Sequence, residues 1–147
     1  AKAITLVAAM ALAEERQREQ NDVVKIQQAE DIYKYYRPRL GALTHEESHV
    51  LLLNQRLRVI GSKLVSRGGL TGTVVDVRMV LKAALLANAT HIALCHNHPS
   101  GNPKPSRDDD ELTRKLANAA RAVDIRLIDH VVVALNGFYS YQDEGKL

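Results

Sequence analysis

Two histidines separated by one residue, His96 and His98, open a polar stretch whose residue types could carry chemistry. They follow a short apolar run of strand length, and residues at i and i+2 of a strand leave the same face. Two imidazoles on one face can chelate a metal, because Zn–N bonds of ~2.0–2.1 Å require the rings to converge. An H-x-H pair by itself is a weak signal, since two exposed loop histidines give the same pattern.

An acidic segment follows, in which Ser106 precedes Asp109 and further acids stand at positions 108, 110 and 111. This pattern predicts a helix start, with Ser106 as N-cap and Asp109 reaching back in a capping box. Such a cap needs no metal. The prolines at 99, 103 and 105 indicate a short connection that brings the helix start back to the histidines. A carboxylate of the first helical turn could then complete a three-ligand set with water in the fourth position, as in catalytic zinc sites.

The composition is typical of a soluble globular protein. The 147 residues fit one compact domain, with 46% hydrophobic and 25% charged residues. A net charge of +3 does not establish nucleic-acid binding. The single cysteine, Cys95, excludes an intrachain disulfide and favours a cytoplasmic location. No apolar run approaches the ~20 residues that a membrane-spanning helix needs.

Hydrophobic periodicity predicts alternating helices and strands. Helical patterns cover residues 1–19, 29–37, 77–90 and 108–122. Strand patterns cover residues 48–53, 57–69, 71–77, 91–96, 125–135 and 138–141. Pro38 and Gly41 should end the second helix, Asp76 should cap the third, and Asn136–Gly137 is a hairpin turn. The order mixes hairpins with helical crossovers and predicts an α/β fold, a mixed β-sheet flanked by helices.

The spacing H-x-H-x7-S-x2-D, from His96 to Asp109, resembles the signature of the JAB/MPN (JAMM) metallo-isopeptidase domains. The form HNHPSGNPKPS is similar to the bacterial RadC family, historically labelled a DNA repair protein. LTHEESHVLLLNQRLRVI, VRMVLKAALLANATHIALCHNHPSG and IRLIDHVVVALNGFYSY also resemble RadC segments, so the resemblance covers nearly the whole chain. It implies a JAB/MPN-like domain over residues 26–147. Residues 1–25 would be the remnant helix and linker of an N-terminal helical region whose remainder is absent from this sequence.

The resemblance also implies roles for individual residues. The zinc ligands would be His96, His98 and Asp109. Ser106 would orient or stabilise the tetrahedral oxyanion, and a glutamate on an early strand would be the general base. The sequence offers Glu46 and Glu47. Alignment on the strand end at residues 53–54 favours Glu46, and Glu47 stays open.

We therefore expect a zinc-dependent hydrolase of the JAMM type that cleaves a peptide or isopeptide bond. The alternative is a DNA-repair-associated DNA-binding or nuclease module, in which the metal is structural or supports phosphodiester cleavage. An inactive protein-binding scaffold is disfavoured by the intact ligand set. The expected partners are a protein or peptide substrate, DNA under the alternative, and a second copy of the chain in a homodimer. No membrane partner is expected.

Other polar residues have plainer interpretations. Cys95 should point away from His96 and be a small core residue, because neighbours on a strand face opposite ways. A zinc deaminase needs two cysteine ligands and is excluded. His130 interrupts an apolar strand and is interpreted as a satisfied core histidine, with a role behind a metal ligand as the alternative. Assigned to the surface or to strand ends are His45, His49 and His91.

Overall fold

The computed structural model describes residues 2–21, 23–68 and 74–147 of the chain. The helices of this part are α1 (Lys2–Asn21), α2 (Ala29–Leu40), α3 (Val77–Leu86) and α4 (Arg107–Ala122). Its strands are β1 (Glu47–Leu53), β2 (Val59–Arg67), β3 (His91–Asn97), β4 (Arg126–Ala134) and β5 (Gly137–Ser140). The predicted α/β fold with a mixed sheet and flanking helices is confirmed.

One mixed sheet, in the order β2-β1-β3-β4-β5, organises the molecule. Only the β3–β4 pair is parallel among the pairs within it, and α4 is the crossover between these two strands. Antiparallel pairing places the start of β1 beside the end of β3, where Ser48 lies opposite His96. The start of β1, the end of β3 and the start of α4 therefore meet at one edge of the sheet.

The sheet is covered on both faces, because alternate side chains of its central strands are apolar in both directions. On one face, α3 and α4 pack against Val50, Leu52, Ile92 and Leu94. On the other, α2 inserts Ile32, Tyr36 and Leu40 against Leu51, Leu53, Ala93, Cys95, Val131 and Val133. Cys95 is fully buried on the α2 face, as its position next to His96 predicted.

The strand predicted over residues 71–77 is not found where it can be examined. Residues 71–73 lie outside the described part of the chain, residues 74–76 form no strand, and Val77 begins α3. The Asp76 carboxylate accepts the backbone N–H of Arg78 at 2.9 Å. This predicted cap commits the segment to a helix start, because an N-cap side chain satisfies an amide that the helix itself leaves free.

The second helix was predicted to end at residue 37, before Pro38. In the structure it continues through Pro38 to Leu40. Proline removes one helical hydrogen bond. Leu40 is fully buried in the α2 core, so its packing holds the last turn in place. Gly41 follows as the C-cap and donates its N–H to the Arg37 carbonyl at 2.9 Å.

The first helix, predicted over residues 1–19, is confirmed as α1. Its large apolar side chains are exposed, with Ile4 76% and Val7 67% accessible. Among the described residues, no helix is both long enough and apolar enough to cross a bilayer.

Candidate metal centre

Three side chains converge where β3 ends and α4 begins. The Nε2 atoms of His96 and His98 lie 3.0 Å apart. Asp109 places Oδ1 3.3 Å from His96 Nε2 and Oδ2 3.5 Å from His98 Nε2. Within the described ranges, this is the one group of His, Cys, Asp or Glu side chains close enough to share a metal ion. The structure thus brings together the three side chains that the sequence predicted as metal ligands.

Backbone geometry explains the convergence. His96 is the last residue but one of β3 and faces the same side as Leu94 and Ile92, by strand alternation. The chain stays beside β4 for one residue more, since the His98 N–H donates to the Val133 carbonyl at 2.9 Å. This bond keeps the second imidazole level with the first.

The predicted capping box fixes the third ligand. The Ser106 N–H donates to Asp109 Oδ2 at 2.7 Å, and the Asp109 N–H donates to Ser106 Oγ at 3.1 Å. The cap therefore orients the carboxylate at the same time as it starts α4. Because a hydroxyl that accepts a hydrogen bond keeps its own proton, Ser106 can still donate towards the cluster.

The pKa values of Asp109 and His98 shift in opposite directions because the two side chains interact. Burial would raise the pKa of Asp109, but hydrogen bonds with His96 and His98 outweigh it and hold that pKa well below its usual range. Burial would lower the pKa of His98, but Asp109 and the Asn102 carbonyl outweigh it and raise that pKa. Asp109 is therefore ionised at neutral pH, as a metal ligand must be.

The two candidate bases differ in how they relate to the cluster. Ser48 pairs with His96 and so shares its face, and strand alternation extended to the residue before β1 puts Glu46 on that side. The negative charge of Glu46 contributes to the raised pKa of His98. Glu47 points to the α2 face and is 6% exposed. The geometry therefore favours Glu46, as the alignment did, and leaves Glu47 away from the ligands.

Glu47 is not solvated but belongs to a buried polar cluster. Its carboxylate bonds His45 Nε2 at 3.0 Å, His49 Nε2 at 2.9 Å and Arg67 Nε at 3.1 Å. Although burial would raise the pKa of Glu47, these three partners lower it to about 2. The assignment of His49 to the surface or a strand end was wrong: it is 3% exposed within β1. Sequence alone could not show that these side chains meet at one carboxylate.

Asn97 holds the segment that carries Glu46. Its Oδ1 accepts the Glu47 N–H at 2.8 Å, and its Nδ2 donates to the His45 carbonyl at 2.9 Å. The Glu46 carbonyl in turn accepts the N–H of Gly68 at 2.8 Å. The residue between the two histidines therefore clamps the chain on both sides of Glu46, a role that the sequence did not indicate.

The family model of the RadC-like JAB domain matches residues 26–146. The chain belongs to this family. It is 40% identical to a UPF0758 protein of Flavobacterium johnsoniae over 99% of this chain and 64% of that protein. It is 42% identical to one of Symbiobacterium thermophilum, over 79% of this chain and 50% of that protein. A third, from Thermotoga maritima, is 35% identical over 99% of this chain and 66% of its own length.

The chain therefore spans between half and two thirds of the length of these curated relatives. Membership of the RadC-like JAB family is consistent with the mixed α/β fold. It does not assign a reaction, because one fold serves many chemistries.

Proposed function

We propose that this domain is a zinc-dependent hydrolase of the JAMM type, which cleaves a peptide or isopeptide bond. The observation that carries the proposal is that His96 Nε2 lies 3.0 Å from His98 Nε2, and that the two nitrogens lie 3.3 and 3.5 Å from the two Asp109 carboxylate oxygens. Two imidazoles and one carboxylate suit zinc better than magnesium or calcium, which prefer oxygen ligands alone. Three protein ligands leave the fourth position of a tetrahedral ion free.

The residues around the ligands supply the remaining chemistry. A bound zinc ion acts as a Lewis acid and generates a nucleophile from water near neutral pH. Glu46, on the same side of the sheet, accepts the proton of the attacking water and returns it to the leaving amine. Ser106, at the start of α4, donates its hydroxyl proton to the oxygen that becomes negative.

The test measures bound zinc and amide hydrolysis in matched variants, with a fluorogenic peptide panel and an isopeptide-linked peptide as substrates. The wild type should bind one zinc ion per chain, and the His98→Ala variant should not retain it. Glu46→Gln should keep its zinc but lose about 10²–10⁴-fold in rate, the usual contribution of a general base. Glu47→Gln is the matched control and should keep both zinc and rate at pH 7.

Two outcomes would contradict the proposal. Full zinc occupancy in His98→Ala would remove the ligand assignment. Metal-dependent cleavage of DNA by the wild type, without cleavage of any peptide or isopeptide, would favour the nuclease alternative, in which the same cluster supports phosphodiester hydrolysis.

A further inference from the structure

A chain of hydrogen bonds runs behind the first histidine of the cluster. His96 Nδ1 lies 2.8 Å from His130 Nε2, and His130 Nδ1 lies 2.6 Å from Thr113 Oγ1. Thr113 Oγ1 also lies 2.6 Å from the backbone carbonyl of Asp109. The path starts at one metal-ligating side chain and returns to the backbone of another, so it closes a ring through the site.

The direction of every hydrogen bond in this series follows from its last acceptor, the backbone carbonyl of Asp109. A carbonyl oxygen can only accept, so the Thr113 hydroxyl donates its single proton to Asp109. Thr113 must then accept from His130, which places the His130 proton on Nδ1. His130 is fully buried, and among the described residues its two ring nitrogens bond His96 and Thr113 rather than a carboxylate. Burial therefore keeps His130 neutral, so its Nε2 is a bare acceptor.

His96 must therefore donate from Nδ1, so the nitrogen left to bind a metal is Nε2, which faces His98 and Asp109. This is the tautomer that a metal ligand requires. This tautomer follows from the hydrogen-bond donors and acceptors alone, without any assumption about a bound metal.

A bulge in β4 aims His130 at this place. Ile92 pairs with Leu127, but Ala93 pairs with Asp129, so Ile128 is an extra residue in β4. Leu127 accordingly packs on the α3 and α4 face, whereas Val131 packs on the α2 face, although strict alternation would put both on one face. The Asp129 carboxylate supports the bulge by accepting the N–H of His130 at 2.7 Å and the hydroxyl of Ser140 at 2.6 Å.

We infer that His130 and Thr113 are positioning residues that hold His96 in the tautomer and orientation that bind the metal, and that they couple this ligand to the helix turn carrying Asp109. The inference rests on the proposed metal centre. Metal-ligating histidines nearly always donate their second ring nitrogen to a carboxylate, a carbonyl or water. Here a second histidine, His130, accepts instead. Thr113, one helical turn after Asp109, fixes which nitrogen of His130 is the acceptor.

The test uses zinc alone as the probe, with affinity measured by competition against a chelating dye. Thr113→Val removes the hydroxyl at constant shape, and Thr113→Ser restores it. His130→Phe keeps a ring next to Tyr141, on which His130 stacks with centroids 5.0 Å apart, but removes both nitrogens. We expect Thr113→Val and His130→Phe to bind zinc about 10–100-fold more weakly, the usual effect of losing a residue that supports a ligand. Thr113→Ser should bind as the wild type does.

Two controls separate positioning from mere stability. His49→Gln changes an equally buried histidine on the other face and should leave zinc affinity unchanged. In metal-free wild type, ¹⁵N-resolved NMR of the imidazoles should show His96 protonated at Nδ1, and Thr113→Val should populate both tautomers. If His130→Phe fails to fold, the Thr113→Val and Thr113→Ser pair decides the matter.

The inference would be overturned by wild-type zinc affinity in Thr113→Val or by equal losses in Thr113→Ser and Thr113→Val. A His96 that carries its proton on Nε2 in place of Nδ1 would also overturn it. These results are independent of substrate. Absence of amide hydrolysis, with the affinity differences intact, would remove the proposed hydrolase and leave the positioning role standing.

Discussion

The two faces of the sheet carry similar residues at the same edge, yet only one of them forms a metal-ligand cluster within the described part of the chain. On the α3 and α4 face, His96 and His98 approach each other and share Asp109. On the α2 face, His45 and His49 bond different oxygens of Glu47. The Asp109 carboxylate contacts two imidazoles that also contact each other, whereas the Glu47 carboxylate lies between His45 and His49.

The surroundings of the two clusters also favour a metal on the α3 and α4 face rather than on the α2 face. Arg67 already neutralises Glu47 from 3.1 Å. The Nδ1 atom of His49 has no hydrogen-bond partner among the described residues, whereas His96 Nδ1 is bonded to His130. A metal centre thus needs convergent lone pairs and supported rings, and the residue types alone do not make one.

The largest difference between the two faces should appear in zinc affinity when the carboxylate of each face, Asp109 or Glu47, is replaced by its amide. Asp109→Asn removes the charge that the two imidazoles share, so zinc affinity should fall by more than the roughly 10–100-fold lost with a supporting residue. Glu47→Gln should leave zinc affinity unchanged. Chelator competition measures both, and similar losses in the two variants would show that the faces are not functionally distinct.

The next effect concerns acid stability of the metal-free protein. Because the pKa of Glu47 falls from 4.5 to about 2 on folding, its contribution to stability is present above pH 4.5 and disappears as the pH falls towards 2. The shift corresponds to on the order of 3 kcal/mol, since the side chain is only 9% exposed.

Glu47→Gln should therefore lower the free energy of unfolding at pH 7 and approach the wild type near pH 2. Denaturant unfolding in the presence of a chelator measures this difference at each pH. A constant difference between pH 7 and pH 2 would show that ionisation of Glu47 is not what stabilises the α2 face.

A smaller effect should come from Asn97, which lies on the α2 face but holds the segment of Glu46. Asn97→Asp keeps the acceptor for the Glu47 N–H but opposes the His45 carbonyl with a second acceptor. Misplacing the base should lower kcat by about tenfold, within the losses known for small misplacements, with zinc affinity unchanged. A loss of zinc with no change in kcat at saturating zinc would place the role of Asn97 at the ligands instead.

The local elements could be predicted from the sequence because their signals are local. The cap at Asp76, the capping box of Ser106 and Asp109, and the turn at Asn136–Gly137 each act within a few residues. Predictions failed where a distant contact outweighed a local preference. Leu40 is buried where α2 continues past Pro38, and the buried His49 has the carboxylate of Glu47 as its hydrogen-bond partner.

The sequence by itself determined the residue types of the predicted ligands, their spacing and the alternation that separates His96 from Cys95, because these depend on neighbours along the chain. Only the tertiary structure decided that Glu47 lies on the α2 face, away from His96, since that depends on the pairing of Ser48 with His96. It also decided that His130 stands behind His96, because a bulge in β4 reverses the alternation there. Register and bulges are set by packing between strands, which no single segment of sequence contains.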